Sequence, residues 1–133
     1  MGGRAVNLRS PLAAVLGRGS SGHGVAHWWA QRVTALALVP LAPWFVVSLA
    51  GLPLGDHAAV TNWIAAGGHP VWLALLLLAV CRHSSLGVQV VIEDYVHGPA
   101  LKLALLLLNG GAHIVLLAGG VYAVLRIALQ GMP

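Results

Sequence analysis

One stretch of the chain places chemically capable side chains in an otherwise apolar segment. His83 lies eleven residues before Asp94 and twelve before Tyr95. In an α-helix eleven steps make about three turns and about 16 Å of rise, so His83 and Asp94 share a face. Gly87, one turn along that face, removes a side chain where a flat group could lie against the backbone. The pattern predicts a deep position at His83 and a second one at the helix end.

The residue types indicate which chemistry these two positions suit. A neutral imidazole binds iron through one ring nitrogen, so haem ligation is the leading interpretation of His83. A histidine hydrogen-bonded to a neighbouring helix is the alternative. The phenol of Tyr95 is suited to donate a hydrogen bond to a quinone carbonyl, and Asp94 to relay protons. An acid at a helix end and a tyrosine of an interfacial aromatic belt are the alternative there.

Four further residues are candidates for binding or packing. Arg32 is suited to grip a carboxylate with two parallel N–H donors, and it also suits a charged anchor at a membrane surface. His27, five residues earlier, lies near the opposite edge of an ideal helix. Arg82 points about 100° away from His83 and has three candidate partners: a haem propionate, a partner carboxylate or a lipid phosphate. His113 is interpreted as a packed, hydrogen-bonded histidine, with a second haem ligand as the alternative.

The composition places these residues in a lipid bilayer. Of the 133 residues, 59% are hydrophobic and 8% are charged, whereas a soluble domain carries about a quarter charged residues. The net charge is +4, with Asp56, Glu93 and Asp94 as the only acidic residues, and we interpret this basicity as membrane topology rather than nucleic-acid binding. A single cysteine, Cys81, excludes an iron–sulfur cluster held by this chain. Any redox reaction therefore needs partner subunits.

The predicted fold is an all-α membrane protein with three transmembrane helices. Apolar runs of spanning length predict helices over about 29–50, 70–92 and 100–129. They form a membrane domain over 25–133, which follows a basic, irregular N-terminal arm over 1–24. The stretch between the first two spans is predicted to be a loop from Gly51 to Gly68, and the second connection to be a short polar turn from Glu93 to Pro99.

The distribution of cations predicts the orientation. Three spans place the N-terminal arm and the turn at Glu93 on one side of the membrane, together with Arg32 and Lys102. Arg126 alone falls near the other side. By the positive-inside rule the arm, Asp94 and Tyr95 are cytoplasmic. We expect a multi-pass protein of a bacterial inner membrane, with the mitochondrial inner membrane less favoured.

With these residues assembled, the chain resembles the small hydrophobic membrane anchor of succinate dehydrogenase, respiratory complex II. The resemblance covers residues 22–130. Its most specific part runs from His83 through Gly87 and Gln89 to the segment Val90–His97, in the form found in alphaproteobacteria and mitochondria. The segment His27–Ala35 is a weaker match.

The resemblance implies roles for individual residues. His83 would be an axial ligand of a haem b shared with the larger anchor subunit. Tyr95 would hydrogen-bond ubiquinone, with Asp94 beside that site. Arg32 would approach the haem propionates, and His27 is the candidate for a further histidine on the propionate side. The fold would then be half of a two-subunit anchor bundle.

The resemblance also implies partners and a reaction. A flavoprotein subunit with FAD would oxidise succinate, an iron–sulfur subunit would carry the electrons, and ubiquinone would be reduced at the membrane. The larger cytochrome b anchor subunit would complete the haem cage. This chain would be a non-autonomous subunit of an enzyme of the tricarboxylic acid cycle and the respiratory chain. The alternatives are a haem b anchor of the fumarate reductase type, or a cofactor-free structural or transport protein in which His83 and Arg82 line a polar path.

Overall fold

The computed structural model describes the backbone of residues 21–130 and side chains from Val25 onward. Four helices follow one another in this part of the chain: α1 Ser21–Ala50, α2 His57–Ala65, α3 His69–Tyr95 and α4 Pro99–Gln130. Of these, α1, α3 and α4 are long and apolar enough to cross a membrane. These helices confirm the predicted all-α membrane fold with three transmembrane helices.

Helix α1 begins earlier than the sequence indicated. Its first residue is Ser21, which falls inside the predicted irregular arm, while residues 1–20 of that arm lie outside the described residues. Trp28 and Trp29 pack edge to face with ring centroids 5.1 Å apart, as suits amphipathic rings at a membrane surface. They mark the level of the interface rather than the end of the helix, so α1 extends beyond the hydrocarbon. Pro40 and Pro43 both lie inside the helix.

Helix α3 is the central element of the fold. It packs against both α1 and α4, whose described residues do not pack against each other. A small core joins α1 to α3 through Leu41, Leu76 and Ala79, all of them buried. Most other large apolar side chains of the three long helices are exposed, as contact with lipid or with other transmembrane helices requires. The helix that carries His83 is thus held from two sides.

The predicted loop from Gly51 to Gly68 is wrong in one respect, because it contains the nine-residue helix α2. Asp56 caps this helix by accepting hydrogen bonds from the backbone amides of Ala58 at 2.9 Å and Ala59 at 3.2 Å. Similarly, α3 continues to Tyr95, so the second connection is shorter than the predicted turn. A capped helix lets a connecting segment satisfy its backbone groups near lipid.

Aromatic side chains join α2 to the neighbouring ends of α1 and α3. The Trp44 ring lies 5.9 Å, centroid to centroid, from the rings of both Trp63 and Trp72. His69 donates from Nδ1 to the carbonyl oxygen of Trp63 over 2.6 Å. This cluster holds the three helices together at the end of the bundle opposite Tyr95.

Leu86 is the most fully buried large side chain among the described residues, with 1% of its surface exposed. We expect Leu86→Ala to lower the free energy of unfolding by about 2 kcal/mol, because the truncation leaves a cavity in a packed helix interface. Unfolding of the detergent-solubilised chain with increasing SDS measures this change. Leu107→Ala, at a side chain 67% exposed, is the control and should have little effect. Equal losses in the two variants would contradict the packing described here.

Candidate functional site

His83 projects from the middle of α3 toward α1. Its Nδ1 atom lies 3.1 Å from Oγ1 of Thr34, and its Nε2 atom lies 3.4 Å from Nε2 of Gln31. All three side chains are partly buried. The imidazole is therefore oriented by α1 through a short contact on one ring nitrogen and a longer one on the other.

The hydrogen bonds of Thr34 favour one tautomer of the His83 ring. The Thr34 hydroxyl lies 2.8 Å from the carbonyl oxygen of Ala30 and 3.0 Å from that of Gln31. A hydroxyl has one hydrogen, and when Thr34 donates it to either carbonyl, Oγ1 accepts from His83 Nδ1–H. The Nε2 atom then carries a lone pair. This is the tautomer that a histidine uses to bind a metal ion while its other nitrogen donates to a protein group.

A polar stripe on α1 faces the same region. His27, Gln31 and Thr34 follow one another at helical spacing, and Oε1 of Gln31 and Nε2 of His27 are buried without a hydrogen-bond partner among the described residues. A buried polar atom without a partner is costly, so native proteins seldom keep one without a reason. A Cβ atom added at Gly87 would meet nothing within 4 Å in the described part of the chain. The Nε2 atom of His83 lies 3.4 Å from the amide nitrogen of Gln31, which would have to move aside for iron to bind. With that movement, the unpartnered polar atoms and the open space beside the helix fit a haem at His83.

Arg32 lies on a different face of α1 from this stripe. Its guanidinium carbon is 4.2 Å from the centroid of the Trp28 ring, a cation–π arrangement that suits the membrane surface. The side chain is exposed and so available to an anionic group. His27 and Arg32 are thus not brought together by direct contact.

Asp94 and Tyr95 end α3, and both side chains are exposed, Tyr95 by 79%. They lie about 16 Å along the helix from His83, so the two predicted positions are well separated on α3. Lys102 of α4 donates from Nζ to the backbone carbonyl of Glu93 over 2.8 Å. That bond ties the end of α3 to the start of α4 and fixes the backbone that presents Tyr95.

Hydrogen bonds in the middle of the bundle connect α3 to α4. Asn109 donates from Nδ2 to the backbone carbonyl of Ser85 over 2.9 Å. His113 donates from Nδ1 to the carbonyl of Asn109 over 2.8 Å, which leaves its Nε2 atom, 3.2 Å from Oγ of Ser84, to accept from that hydroxyl. His113 is therefore packed and hydrogen-bonded, in agreement with the favoured interpretation. It contacts a face of α3 about 100° from His83.

The sequence reasoning missed Thr34, Gln31 and Asn109 as members of these networks. A signal for the first two was present, because Gln31 and Thr34 continue the spacing of His27 at four and three residues along an apolar helix. That spacing predicts one polar stripe. Asn109 gave no comparable signal, since its partner is a backbone carbonyl on another helix.

The fold and site define the class of the protein: a small multi-pass helical membrane protein with a partly buried, hydrogen-bonded histidine at the middle of its central helix. Residues 6–125 match the family of succinate dehydrogenase/fumarate reductase transmembrane subunits. The chain belongs to this family, and the resemblance seen in the sequence is confirmed.

Individual relatives agree with this membership. The succinate dehydrogenase hydrophobic membrane anchor subunit of Paracoccus denitrificans is 32% identical over 126 residues, which cover 90% of this chain and 92% of the relative. The subunit of the same name from Rickettsia bellii (strain RML369-C) is 33% identical over 105 residues, covering 76% and 81%. The succinate dehydrogenase membrane anchor subunit of Reclinomonas americana is 26% identical over 84 residues, covering 60% and 69%.

Proposed function

We propose that the chain is the small membrane anchor subunit of a succinate:quinone oxidoreductase, where it supplies one axial ligand of haem b and part of the ubiquinone-reduction site. The observation that carries the proposal is the His83 imidazole, whose Nδ1 atom lies 3.1 Å from Thr34 Oγ1, the arrangement in which Nε2 can bind a metal ion. The names of the aligned relatives support the succinate dehydrogenase assignment over a fumarate reductase type of anchor.

His83 is one ligand of a shared centre in this proposal. Within residues 25–130 no group of three or more His, Cys, Asp or Glu side chains is placed to hold a metal ion, and His113 is engaged with Ser84 and Asn109. In this proposal the larger cytochrome b anchor subunit would supply the second ligand of the iron. Haem b, when bound, supplies a one-electron redox centre. Arg32 and His27, on the α1 segment that leads to the His83 contacts, are proposed to hold its propionates.

Tyr95 and Asp94 serve the substrate quinone. Reduction of a quinone to a quinol takes two electrons and two protons. The electrons arrive through the iron–sulfur subunit, from succinate oxidised at FAD in the flavoprotein subunit. Tyr95 donates a hydrogen bond to a quinone carbonyl and so favours the charge that develops on that oxygen. Asp94 relays protons from the aqueous side, where its exposure keeps it in contact with water.

The proposed orientation puts this quinone site at the cytoplasmic face of a bacterial inner membrane. The start of α1 and the connection between α3 and α4 lie on the same side because two spans separate them. Arg32 and Lys102 lie on that side, whereas Arg126 lies near the opposite end of α4. Cations concentrate on the cytoplasmic side of membrane proteins.

Affinity purification of the tagged full-length chain tests the class. We expect flavoprotein, iron–sulfur and second anchor subunits to co-purify, with a b-type absorbance in the reduced-minus-oxidised spectrum. Recovery without the flavoprotein would contradict the succinate dehydrogenase assignment. Recovery of all the subunits without b-type absorbance would contradict the haem assignment alone.

Replacing Thr34 tests the hydrogen bond that orients His83. We expect Thr34→Val to leave haem bound but to raise its midpoint potential, because an imidazole without its Nδ1–H acceptor donates less electron density to the iron and stabilises the oxidised state less. Thr34→Ser should restore the original value. Redox titration of the b-type absorbance in the purified complex measures both.

Thr61→Val is the matched control for this experiment. The Thr61 hydroxyl makes the same kind of backbone bond, to the carbonyl of His57 at 2.9 Å, but it lies in α2, away from His83. An unchanged potential in Thr34→Val, or an equal shift in Thr61→Val, would contradict the role given to Thr34.

A further inference from the structure

Arg82 lies at the middle of a membrane-spanning helix with its side chain exposed. It is thirteen positions from His69, at one end of α3, and thirteen positions from Tyr95, at the other end. Each distance is about 20 Å along the helix. An arginine near a helix end can extend its charged group to the headgroups. The distance here exceeds the length of the side chain, so the guanidinium stays at membrane depth.

The chain itself offers no acidic side chain at that depth. Its acidic residues are Asp56, Glu93 and Asp94. Asp56 precedes α2 outside the spans, and Glu93 lies eleven residues from Arg82 along α3, about 16 Å away. A cation at the bilayer centre is costly unless it is paired, and such residues mark functional contacts. The negative group that pairs with Arg82 therefore comes from another molecule.

Arg82 closes one end of an apolar groove between α1 and α3. The groove has a volume of about 590 Å³ and extends along α3 to Trp72, ten residues or about 15 Å from Arg82. Ala37 and Ala79 line its floor, and small residues let the backbone of another helix approach closely. Its length and floor match almost three turns of a packed transmembrane helix.

The same guanidinium also borders a second recess, on the α4 side of α3. This recess is smaller, about 170 Å³, and is lined by Cys81, Ser85 and His113 among others. Arg82 thus lies on the exposed face of α3, between the face that α1 covers and the face that α4 covers. A helix seated in the groove would meet the guanidinium directly.

We infer that the groove seats a transmembrane helix of the partner anchor subunit and that this helix carries an aspartate or glutamate opposite Arg82. The inference rests on the proposed function for the presence of that subunit. The positive charge of Arg82 favours an acidic side chain as its partner. The apolar walls of the groove and the alanines on its floor favour a transmembrane helix as the element that carries this acid. Lipid phosphates lie at the bilayer surface, well above this depth. A carboxylate on a cofactor is the remaining source, and the experiment distinguishes it.

The test uses the complete complex with Arg82→Leu and Arg82→Lys. Leucine is favourable in a bilayer, so Arg82→Leu should not hinder insertion of the chain. We expect Arg82→Leu to reduce recovery of the second anchor subunit by roughly tenfold or more, because it leaves the partner's acid buried without a counter-charge. Arg82→Lys should retain part of the association. Arg126→Leu, at an exposed arginine near the end of α4, should leave recovery unchanged.

Two further variants test the groove and the pair separately. Leu75→Trp fills the groove and should reduce recovery of the partner, whereas Leu107→Trp, on the face of α4 opposite Asn109, should not. Arg82→Glu combined with an arginine in place of the partner's membrane-embedded acid should restore the association. Restored association would show that Arg82 and the partner's acid form an ion pair, because only their charges were exchanged.

The outcomes separate this inference from the proposed function. Intact association in Arg82→Leu would overturn the inference. Loss of b-type absorbance with the two anchor subunits still associated would overturn it in favour of a cofactor carboxylate. Absence of flavoprotein from the unmodified complex would overturn the proposed function. In that case, loss of a co-purifying membrane subunit only in Arg82→Leu would still support the helix contact.

Discussion

The complex that contains His83→Ala is expected to lose its b-type absorbance. The imidazole nitrogen that would bind the iron is removed, and His113, the other histidine in the middle of the bundle, is engaged between α3 and α4. The measurement is the reduced-minus-oxidised spectrum of the purified assembly, normalised to the flavin content. Normalisation separates loss of haem from loss of complex.

The control for this variant is His113→Ala, which removes a histidine of the same helical bundle. We expect it to retain the b-type absorbance even if it lowers stability, since it breaks the contact with Ser84 and leaves His83 and Thr34 in place. Absorbance that survives unchanged in His83→Ala would rule out this histidine as the ligand. Complete loss in both variants would show that haem retention depends on packing alone.

Tyr95→Phe is expected to lower ubiquinone reductase activity by at least about tenfold, because a hydrogen bond to the oxygen that gains charge is removed from the site. Succinate oxidation with an artificial acceptor should be unchanged, since that reaction takes its electrons before they reach the membrane. The two assays on one preparation measure the ratio directly. Tyr95 is 79% exposed, so the loss of its hydroxyl should cost little stability.

Tyr122→Phe is the matched control, because it makes the same substitution at an exposed tyrosine of α4. Both of its activities should match those of the unmodified complex. Equal loss of the two activities in Tyr95→Phe would point to failed assembly and would contradict a direct role with quinone. Unchanged quinone reduction would assign Tyr95 to the interfacial aromatic belt.

The features of this structure that depend on a single helix were predictable from the sequence. Three long apolar runs predict three spans, and the eleven-residue spacing of His83 and Asp94 fixes their relative positions once α3 is helical. Relations between helices were not predictable in the same way. The contact of His83 with Thr34 depends on the register of α1 against α3. Many apolar side chains of similar size would allow several registers, so the sequence does not determine this one.

Helix α2 and the start of α1 were also not predictable from the sequence. Helix α2 has nine residues and no strong periodicity, and a segment of that length is only marginally stable without tertiary contacts. The capping role of Asp56 was not predicted, and the stacked rings of Trp44 and Trp63 that hold the helix in place belong to different elements. The start of α1 was obscured because polar and aromatic residues mark a membrane surface as readily as a helix end.

The absence of contact between α1 and α4 has an energetic consequence. Within residues 21–130 these two helices are joined through α3 along the bundle, and through α2, which packs against α4 and stacks Trp63 on Trp44 of α1, at the end opposite Tyr95. Near the middle of the bundle, a disturbance therefore passes between α1 and α4 by displacing α3. The hydrogen bonds of Thr34 with His83 and of Asn109 with Ser85 come from these two helices, and together they restrain the rotation of α3 from two sides.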